Sequence, residues 1–385
     1  MSGKGKIKLM IMLGALEYGG AELFVIDILK KMDYNRFDVI LFVMREGAKE
    51  LHESIPVQVK IVVLEMKYAG ISFKKKPYLA IKRNIEYFLD LKKIACDFGP
   101  DIIHAHLPIP CFWANIVFGH STIKLINSYH STVHSERSLM RRLKLSDIYA
   151  KPLCTSCGKE SEKACLQQRL FQKYRSLVLE NAVDVEVKSV GETAIIPFGA
   201  NRDSLKILQV GRLTEAKGYP YTLRALSMLK ECSVDFHLCI VGEGPMRTQI
   251  KDMVQELSLE NNVTMVSGVY GDDKATIFTN ADIYLMPSLW EGLSIAMLEA
   301  MVYSKAMIVS SVGGALEIIK DNENGIFVSP GNAELLAQKI SSLAKNEVLR
   351  KILGRNARET VVSRYNIVDR VDFLQQLYEK MVKSR

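Results

Sequence analysis

Two glutamates, Glu291 and Glu299, are notable for their type and spacing within residues 287–301, whose sequence is PSLWEGLSIAMLEAM. Glu291 lies beside a glycine, whereas Glu299 lies in an apolar stretch with the composition of a buried helix. A buried carboxylate is costly unless it is paired or hydrogen-bonded, so both acids need partners. The simpler interpretation is a helix that turns one acid toward solvent.

A cationic loop between a predicted strand and a predicted helix supplies groups that such acids could face. Residues 210–218 read VGRLTEAKG, with Gly211, Arg212, Lys217 and Gly218 in order. Glycine permits close approach of a ligand to the backbone, and a helix N-terminus favours an anion. Arginine adds a planar set of donors, and lysine a point charge. The loop therefore predicts a phosphate or diphosphate site, although it matches neither a Walker loop nor a G-x-G-x-x-G motif.

The first half has a matching turn and three histidines. Gly19 and Gly20 lie where the first strand turns into the first helix, so their N–H groups could face a ligand. His104 and His106 alternate along a strand and share a face, and His130 ends the next strand, where ligands of parallel sheets bind.

A metal site is not expected in this sequence. Cys154 and Cys157 form one C-x-x-C, but no second pair completes a structural zinc site. The two histidines of the predicted strand have no carboxylate or cysteine set near them in sequence. We therefore predict no metal.

Apolar runs that alternate with helix-period segments predict an α/β fold in both halves, with βαβ units and parallel sheets. Two Rossmann-like domains of similar size would place a site at the carboxyl ends of their strands, in a cleft between them. The boundary is predicted between residues 197 and 198, where Pro197 and Gly199 break the pattern. The predicted strands span 7–13, 37–44, 57–64, 101–107, 124–129, 205–210, 236–241, 263–267, 283–286, 306–310 and 325–328. The predicted helices span 20–32, 78–98, 157–170, 218–230, 245–257, 294–303, 314–320, 332–345 and 367–381.

Composition is that of a globular protein: 385 residues, 48% hydrophobic and 24% charged. No apolar run approaches the roughly 20 residues that span a bilayer. Seven scattered cysteines favour a reducing, cytoplasmic compartment. The net charge of +8 belongs to residues 1–200, which carry 29 Lys and Arg against 21 Asp and Glu. No nucleic-acid-binding motif accompanies this excess, so nucleic acid is not an expected partner.

An anionic membrane surface is a better match for the basic excess. Apolar residues recur at helical spacing after a basic cluster, so this segment could lie on lipid at the inner face of the cytoplasmic membrane. The cluster comprises Lys74, Lys75, Lys76, Lys82 and Arg83, and the apolar residues are Ile81, Ile85, Phe88 and Leu89. The simpler interpretation is a helix that packs this apolar stripe on its own sheet.

Together these motifs resemble glycosyltransferase family 4, retaining enzymes with the GT-B fold of two Rossmann-like domains. The resemblance covers nearly the whole chain and is most specific in its second half. The motifs are G-R-L-x3-K-G at 211–218, V-G-x-G-P at 241–245, M-P-S at 286–288, E-x7-E at 291–299 and N-G at 324–325. The resemblance implies an acceptor-side domain over 1–197, a nucleotide-sugar domain over 198–365, and a helix over 366–385 that crosses back onto the first domain.

Residue roles follow from the resemblance, position by position. Arg212 and Lys217, with Gly211 close by, would hold the diphosphate, and Glu299 the ribose. The donor sugar would be held by Glu291, Gly292, Leu293 and Ser294. The base would lie near Gly268, Val269 and Tyr270. Gly19 and Gly20 would lie near the transferred group, and His130 beside the sugar. Ser294 departs from the glycine that is usual in the family.

The implied reaction moves a sugar from a nucleotide-sugar, with uridine the expected base, to a glycan or lipid-linked acceptor. Cations at the diphosphate would stabilise the leaving group, so neither a metal nor a cofactor is expected. A glycan phosphorylase and a nucleotide-sugar epimerase remain alternatives on the same architecture. A glycoside hydrolase that uses Glu291 and Glu299 is disfavoured, because hydrolysis has no use for a diphosphate clamp.

Overall fold

The structure, a computed structural model, describes residues 5–65, 77–130, 145–167, 175–187, 197–199, 201 and 204–384. Two compact units make up the chain. The first contains residues 1–17, 21–180 and 368–385, and the second contains residues 18–20 and 181–367. The predicted division between residues 197 and 198 lies in a sparsely described segment and stays a prediction.

The first unit is built on a parallel seven-stranded sheet with the order β3-β2-β1-β4-β5-β6-β7. β1 and β2 are largely apolar, as expected for strands of a sheet that is covered on both faces. The strands are β1 (Ile7–Leu13), β2 (Phe37–Val43), β3 (Lys60–Val63), β4 (Ile102–His106), β5 (Lys124–Tyr129), β6 (Leu153–Ser156) and β7 (Ser176–Val178). The helices are α1 (Gly20–Lys31), α2 (Lys49–Glu53), α3 (Pro77–Phe98), α4 (Pro108–Phe118) and α5 (Lys159–Gln167), with a further helical turn over residues 145–150.

The second unit contains a parallel six-stranded sheet with the order β10-β9-β8-β11-β12-β13. Its strands are β8 (Leu205–Val210), β9 (Phe236–Val241), β10 (Val263–Val266), β11 (Ile283–Met286), β12 (Ala306–Ser310) and β13 (Ile326–Val328). Its helices are α6 (Tyr219–Glu231), α7 (Arg247–Glu256), α8 (Gly271–Asn280), α9 (Ile295–Val302), α10 (Ala315–Ile318), α11 (Ala333–Ala344) and α12 (Glu347–Arg364). The last helix, α13 (Ile367–Lys383), follows α12 directly.

Most of α13 belongs to the first unit, and its side chains bond to earlier residues of that unit. The Gln375 side chain accepts a hydrogen bond from the Asp33 N–H at 2.9 Å. Tyr378 is fully buried, and its hydroxyl lies 2.7 Å from Nδ1 of His104 on β4. Tyr378 also packs edge-on against Phe37 at the start of β2, so this amphipathic helix completes the core around β4 and β2.

A buried carboxylate, Asp147, sits in the core of the first unit. Asn115, Asn127 and Tyr129 donate to it at 2.6, 2.9 and 2.6 Å. Burial raises the pKa of Asp147 to about 6, although the three donors oppose the rise by stabilising the charged form. The acid is thus solvated by protein groups in place of water.

The described part of the chain contains no helix long and apolar enough to cross a membrane. One helix nevertheless exposes apolar side chains. Along α3 the exposed fractions are 74% for Tyr78, 47% for Ile81, 54% for Ile85 and 57% for Leu89. Ala80, Tyr87, Leu91 and Ala95 form the buried face instead. The simpler interpretation of the sequence, in which Ile81, Ile85 and Leu89 pack on the sheet, is therefore wrong; Phe88 does lie against the core.

Candidate functional site

Lys217 and Glu291, which sequence analysis drew from separate motifs, form an ion pair in the second unit. The Lys217 ammonium donates to Oε2 of Glu291, and the Ser288 hydroxyl lies 3.5 Å from the same oxygen. The two charged side chains are only 18% and 15% exposed. A pair this shielded from water interacts more strongly than a surface pair.

The loop that carries Lys217 folds tightly against its neighbours. A Cβ on Gly211 would lie 2.9 Å from Cε of Lys217, so this lysine crosses directly over the glycine. Gly218 has φ of +67°, and a Cβ there would lie 2.0 Å from the Pro287 carbonyl oxygen. Glycine is thus required at residue 218 by backbone conformation and by contact.

Buried polar residues hold this loop through hydrogen bonds to its backbone carbonyls. Gln209 at the end of β8 donates to the Lys217 carbonyl at 2.9 Å and accepts from the Thr222 hydroxyl at 2.8 Å. The Tyr219 hydroxyl donates to the Gly211 carbonyl at 2.9 Å. These three supporting residues were not predicted from the sequence; the available signal was the position of polar groups at a strand end and in the first turn of the following helix.

The G-x-G of residues 242–244 packs against the same loop. A Cβ on Gly242 would lie 2.0 Å from the Gly211 carbonyl oxygen, and the Leu213 N–H donates to the Glu243 carbonyl at 2.8 Å. These glycines therefore support the loop through backbone contacts.

Glu299 finds its partner in Lys274, a residue that the sequence analysis did not single out. The Lys274 ammonium donates to Oε1 of Glu299 at 2.6 Å, and the side chains are 12% and 22% exposed. Oε2 of Glu299 is buried and has no hydrogen-bond partner among the described residues. The predicted need of this acid for a partner is thus met by a cation on α8.

The segment from Gly292 to Ser294 leads from Glu291 into α9. Ser294 caps this helix, and its hydroxyl accepts from the Met297 N–H at 3.3 Å. Asn181 donates to the Leu293 carbonyl at 2.7 Å. The departure from glycine at residue 294 thus supplies a helix cap.

A second glycine pair, Gly313 and Gly314 after β12, supports this segment. A Cβ on Gly313, whose φ is +51°, would lie 2.0 Å from the Glu291 carbonyl oxygen. The Gly314 N–H donates to the Gly292 carbonyl at 2.9 Å. The sequence analysis missed this pair, although a double glycine after a strand was the available signal.

The predicted base-binding turn precedes α8, the helix that carries Lys274. Gly268 has φ of +50°, and Tyr270 is the extended residue before the first turn of α8. Val269 between them is half-buried. The turn and the partner of Glu299 are therefore parts of one continuous segment.

The structure also describes three other predicted residues, Arg212, Gly19 and Gly20. Arg212 is largely exposed at the start of the Lys217 loop. Gly19 and Gly20 belong to the second unit, and Gly20 begins α1. Their predicted contacts with a donor stay predictions.

The histidines of the first unit form a stack. The rings of His104 and His106 are stacked at 4.1 Å, and those of His106 and His130 at 5.2 Å. Nδ1 of His106 lies 2.9 Å from Nε2 of His130. Burial lowers the pKa of His104 to about 3 and that of His106 well below its usual value, with the neighbouring imidazoles adding to both shifts.

The described residues contain no group of three or more His, Cys, Asp or Glu side chains that could hold a metal ion. Cys154 and Cys157 are both buried, and both carry thiol groups. The predictions of no metal and no cofactor stay predictions.

Two family descriptions match adjoining parts of the chain. Residues 18–187 match Glycosyltransferase Family 4, and residues 192–360 match Glycosyl transferases group 1. The second range contains both ion pairs. The first contains the histidine stack.

Curated relatives are glycosyltransferases. An uncharacterized glycosyltransferase of Methanocaldococcus jannaschii is 35% identical over 44% of this chain and 43% of the relative. The N-acetylgalactosamine-N,N'-diacetylbacillosaminyl-diphospho-undecaprenol 4-alpha-N-acetylgalactosaminyltransferase of Campylobacter jejuni is 27% identical over 91% of this chain and 94% of that protein. The UDP-Gal:alpha-D-GlcNAc-diphosphoundecaprenol alpha-1,3-galactosyltransferase of Escherichia coli is 27% identical over 59% of each.

Solved structures share the fold. Anabaena HepE in complex with UDP and glucose superposes with a TM-score of 0.80 at 18% identity, covering 97% of this chain and 100% of that chain. Sucrose-phosphate synthase from Thermosynechococcus elongatus gives a TM-score of 0.80 at 19% identity over 99% and 100%. The predicted fold class, two parallel-sheet α/β domains of the GT-B type, is confirmed.

Proposed function

We infer the function of this chain from its family, since it belongs to the glycosyltransferases that join a Glycosyltransferase Family 4 region to a Glycosyl transferases group 1 region. We propose that it moves a sugar from a UDP-sugar to a lipid-linked glycan. The observation that carries this proposal is the two shielded Lys–Glu pairs of the second unit, Lys217–Glu291 and Lys274–Glu299. They place ammonium groups and carboxylates along the segments that the family resemblance assigns to a nucleotide-sugar.

The donor would be held in three parts. Lys217 exchanges its carboxylate partner for a diphosphate oxygen, and Arg212 adds a second cation. Glu291, released from the ion pair, accepts hydrogen bonds from hydroxyls of the sugar. Backbone groups of Gly292 and Ser294 bind the same sugar. Glu299 binds the ribose while Lys274 keeps its carboxylate oriented. UDP is favoured because a structural neighbour binds it and a relative of known donor uses UDP-galactose.

Departure of the diphosphate would be the step that these cations accelerate. Negative charge builds on the phosphate oxygens as the bond to the anomeric carbon breaks, and preorganised cations stabilise that charge. Two side-chain cations at the leaving group supply this stabilisation without a divalent metal. We infer retention of anomeric configuration from the family resemblance, with His130 acting beside the transferred sugar.

The acceptor would be a glycan on a polyprenyl diphosphate. Two relatives carry this chemistry in their names, which specify undecaprenyl-diphosphate-linked saccharides as acceptors. Such an acceptor is confined to a membrane. The enzyme would therefore work at the cytoplasmic face of the membrane, in the assembly of an envelope polysaccharide.

The exposed stripe of α3, formed by Tyr78, Ile81, Ile85 and Leu89, supports contact with that membrane. Lys82 lies beside the stripe and is half exposed, with Glu86 at 3.9 Å. An apolar stripe flanked by lysine is suited to the interface of an anionic bilayer, where each basic residue contributes about 1 kcal/mol. Arg83 is half-buried, and Lys74, Lys75 and Lys76 lie outside the described residues.

Vesicle sedimentation tests this surface. We expect the protein to sediment with phosphatidylglycerol vesicles at low salt, less at high salt, and little with phosphatidylcholine vesicles. The double variant Ile85→Asp/Leu89→Asp should lose sedimentation. Val348→Asp, at a 69% exposed position on α12, is the matched control and should retain it. Equal sedimentation of both variants would remove α3 from the proposal.

A donor screen tests the enzymatic proposal. UDP-glucose, UDP-galactose, UDP-N-acetylglucosamine and UDP-N-acetylgalactosamine are compared for thermal stabilisation and for UDP release with and without undecaprenyl-diphosphate glycans. Acceptor-dependent UDP release in the presence of EDTA supports transfer without a metal. Interconversion of UDP-sugars without UDP release would identify an epimerase, and turnover of a sugar 1-phosphate alone would identify a phosphorylase. NMR of the new glycosidic bond reports retention or inversion.

A further inference from the structure

The histidine stack of the first unit contains a residue that nothing in the proposed mechanism uses. His106 is fully buried on β4, and its Nδ1 lies 2.9 Å from Nε2 of His130. Its other nitrogen, Nε2, is buried and has no hydrogen-bond partner among the residues that the structure describes. His106 therefore makes one side-chain hydrogen bond, and that bond reaches the histidine proposed to act on the sugar.

His104, itself held by two hydrogen bonds, keeps His106 in this orientation. The ring of His104 stacks on it at 4.1 Å, and both nitrogens of His104 are occupied: Tyr378 Oη lies 2.7 Å from Nδ1 and Ser128 Oγ lies 2.7 Å from Nε2. Tyr378 comes from α13 and Ser128 from β5. The imidazole plane of His106 is thus set by groups from three elements of the first unit.

The proton between His106 and His130 has one favoured position. Burial lowers the pKa of His106 well below its usual value, so the ring is neutral and carries a single proton. If that proton were on Nε2, a buried N–H would lack an acceptor, and such orphan donors are rarer than orphan acceptors. The proton therefore belongs on Nδ1, where it can be donated to Nε2 of His130.

We propose that His106 is a positioning residue for the transfer reaction, which donates from Nδ1 to Nε2 of His130 and thereby holds His130 as its Nδ1–H tautomer. This inference rests on the proposed function of His130. With Nε2 occupied as an acceptor, neutral His130 carries its proton on Nδ1 and presents that group as a donor. Phe24 of α1 lies edge-on to the His130 ring at 5.8 Å and limits its rotation.

The same bond opposes protonation of His130. A proton on Nε2 of His130 would face the Nδ1–H of His106, so two N–H groups would point at each other. To avoid this repulsion, His106 would have to move its own proton to its Nε2, which has no acceptor among the described residues. Among the residues that the structure describes, the titratable groups with contacts to this stack include His104 on the same strand and, beyond it, Tyr378. His130 should therefore stay neutral at lower pH than an ordinary histidine, whose pKa is about 6.5.

Nitrogen-15 NMR of the ligand-free protein with labelled histidines tests the tautomer directly. We expect His130 in the wild type to show a protonated Nδ1 and an unprotonated Nε2. His106→Asn keeps an amide donor near the position of Nδ1 and should keep this tautomer. His106→Phe keeps an aromatic ring but has no donor, and His130 should then show a mixture of tautomers. A wild-type His130 protonated on Nε2, or an unchanged tautomer in His106→Phe, overturns the proposal.

The pH dependence of UDP release gives a second readout on whichever UDP-sugar the donor screen identifies. His106→Phe should lower turnover about tenfold, the effect of one hydrogen bond, and move the acid limb of the profile toward pH 6.5. His106→Asn should keep the wild-type limb. A fall in turnover with an unshifted limb would indicate a merely structural role and count against the proposal. Full turnover in His130→Phe would instead refute the proposed role of His130, a result that the NMR measurement does not depend on.

Discussion

Removal of the Lys217 ammonium should separate the catalytic part of the proposed function from the stability of the fold. In Lys217→Ala, Glu291 loses the partner that shields it, while Gln209 still accepts from Thr222 and the backbone of the loop is kept. The side chains of the pair are 18% and 15% exposed. The stability cost should therefore lie between that of surface pairs and that of fully buried ones, at about 2 kcal/mol.

The catalytic cost is worked from the bond that Lys217 would make to the departing diphosphate. A hydrogen bond to a charged group contributes about 1.5–3 kcal/mol. If that bond is made in the transition state, its loss lowers turnover by about 10- to 150-fold. We therefore expect a folded enzyme with turnover reduced by one to two orders of magnitude.

The assay is UDP release at saturating donor, with thermal unfolding measured on the same preparation. Lys320→Ala is the matched control, since it also removes a Lys–Glu pair of the second unit, but at a position that is 75% exposed. We expect the control to match wild type in both measurements. Turnover of Lys217→Ala within twofold of wild type would refute the assignment of the diphosphate site.

Three further predictions concern the acids and glycines. Glu299→Gln should raise the KM for the UDP-sugar about tenfold with little change in kcat, because ribose is bound alike in ground and transition states; an unchanged KM measured by UDP release would remove Glu299 from the donor site. Gly313→Ala and Gly354→Ala each bring a Cβ to 2.0 Å from a carbonyl oxygen and should both lower the free energy of unfolding by more than about 1 kcal/mol. Only Gly313→Ala should also weaken binding of the UDP-sugar in calorimetry, since its contact is with Glu291, which is proposed to hold the sugar; equal UDP-sugar affinity in both would contradict this. The pKa of Asp147 is raised from 3.8 to about 6, so its stabilising contribution is full below pH 4 and is lost as pH rises through 6. Urea unfolding should therefore show Asp147→Asn gaining up to about 3 kcal/mol on wild type between pH 4 and 7, and a constant difference would show that the acid does not titrate.

Strand positions could be read from the sequence wherever the sheet is buried on both faces. The runs at 7–13, 124–129, 205–210, 236–241 and 306–310 were predicted with the bounds that the structure shows. Parallel strands covered by helices are largely apolar, so the polar and turn residues that flank such runs mark most of their ends. The alternation of apolar runs with helix-period segments was therefore sufficient to predict the α/β fold class.

Several elements were not predicted. β6 (Leu153–Ser156) and β7 (Ser176–Val178) are short, and β7 lies at the sheet edge. α8 and α12 carry polar residues through much of their length. Such segments take their structure from the neighbour they pack on or pair with, which local sequence does not specify.

The amino-acid sequence identifies the charged residues of this protein and the glycines at which the chain can turn. It predicted that Glu291 and Glu299 need partners, and it predicted the cationic loop at Lys217. The pairing itself follows from the folded chain: Glu291 binds Lys217 across 74 residues, and Glu299 binds Lys274 across 25. The reason is that electrostatic partners are chosen by distance and burial in space, which the folding of the sheet and loops creates and a linear spacing does not contain.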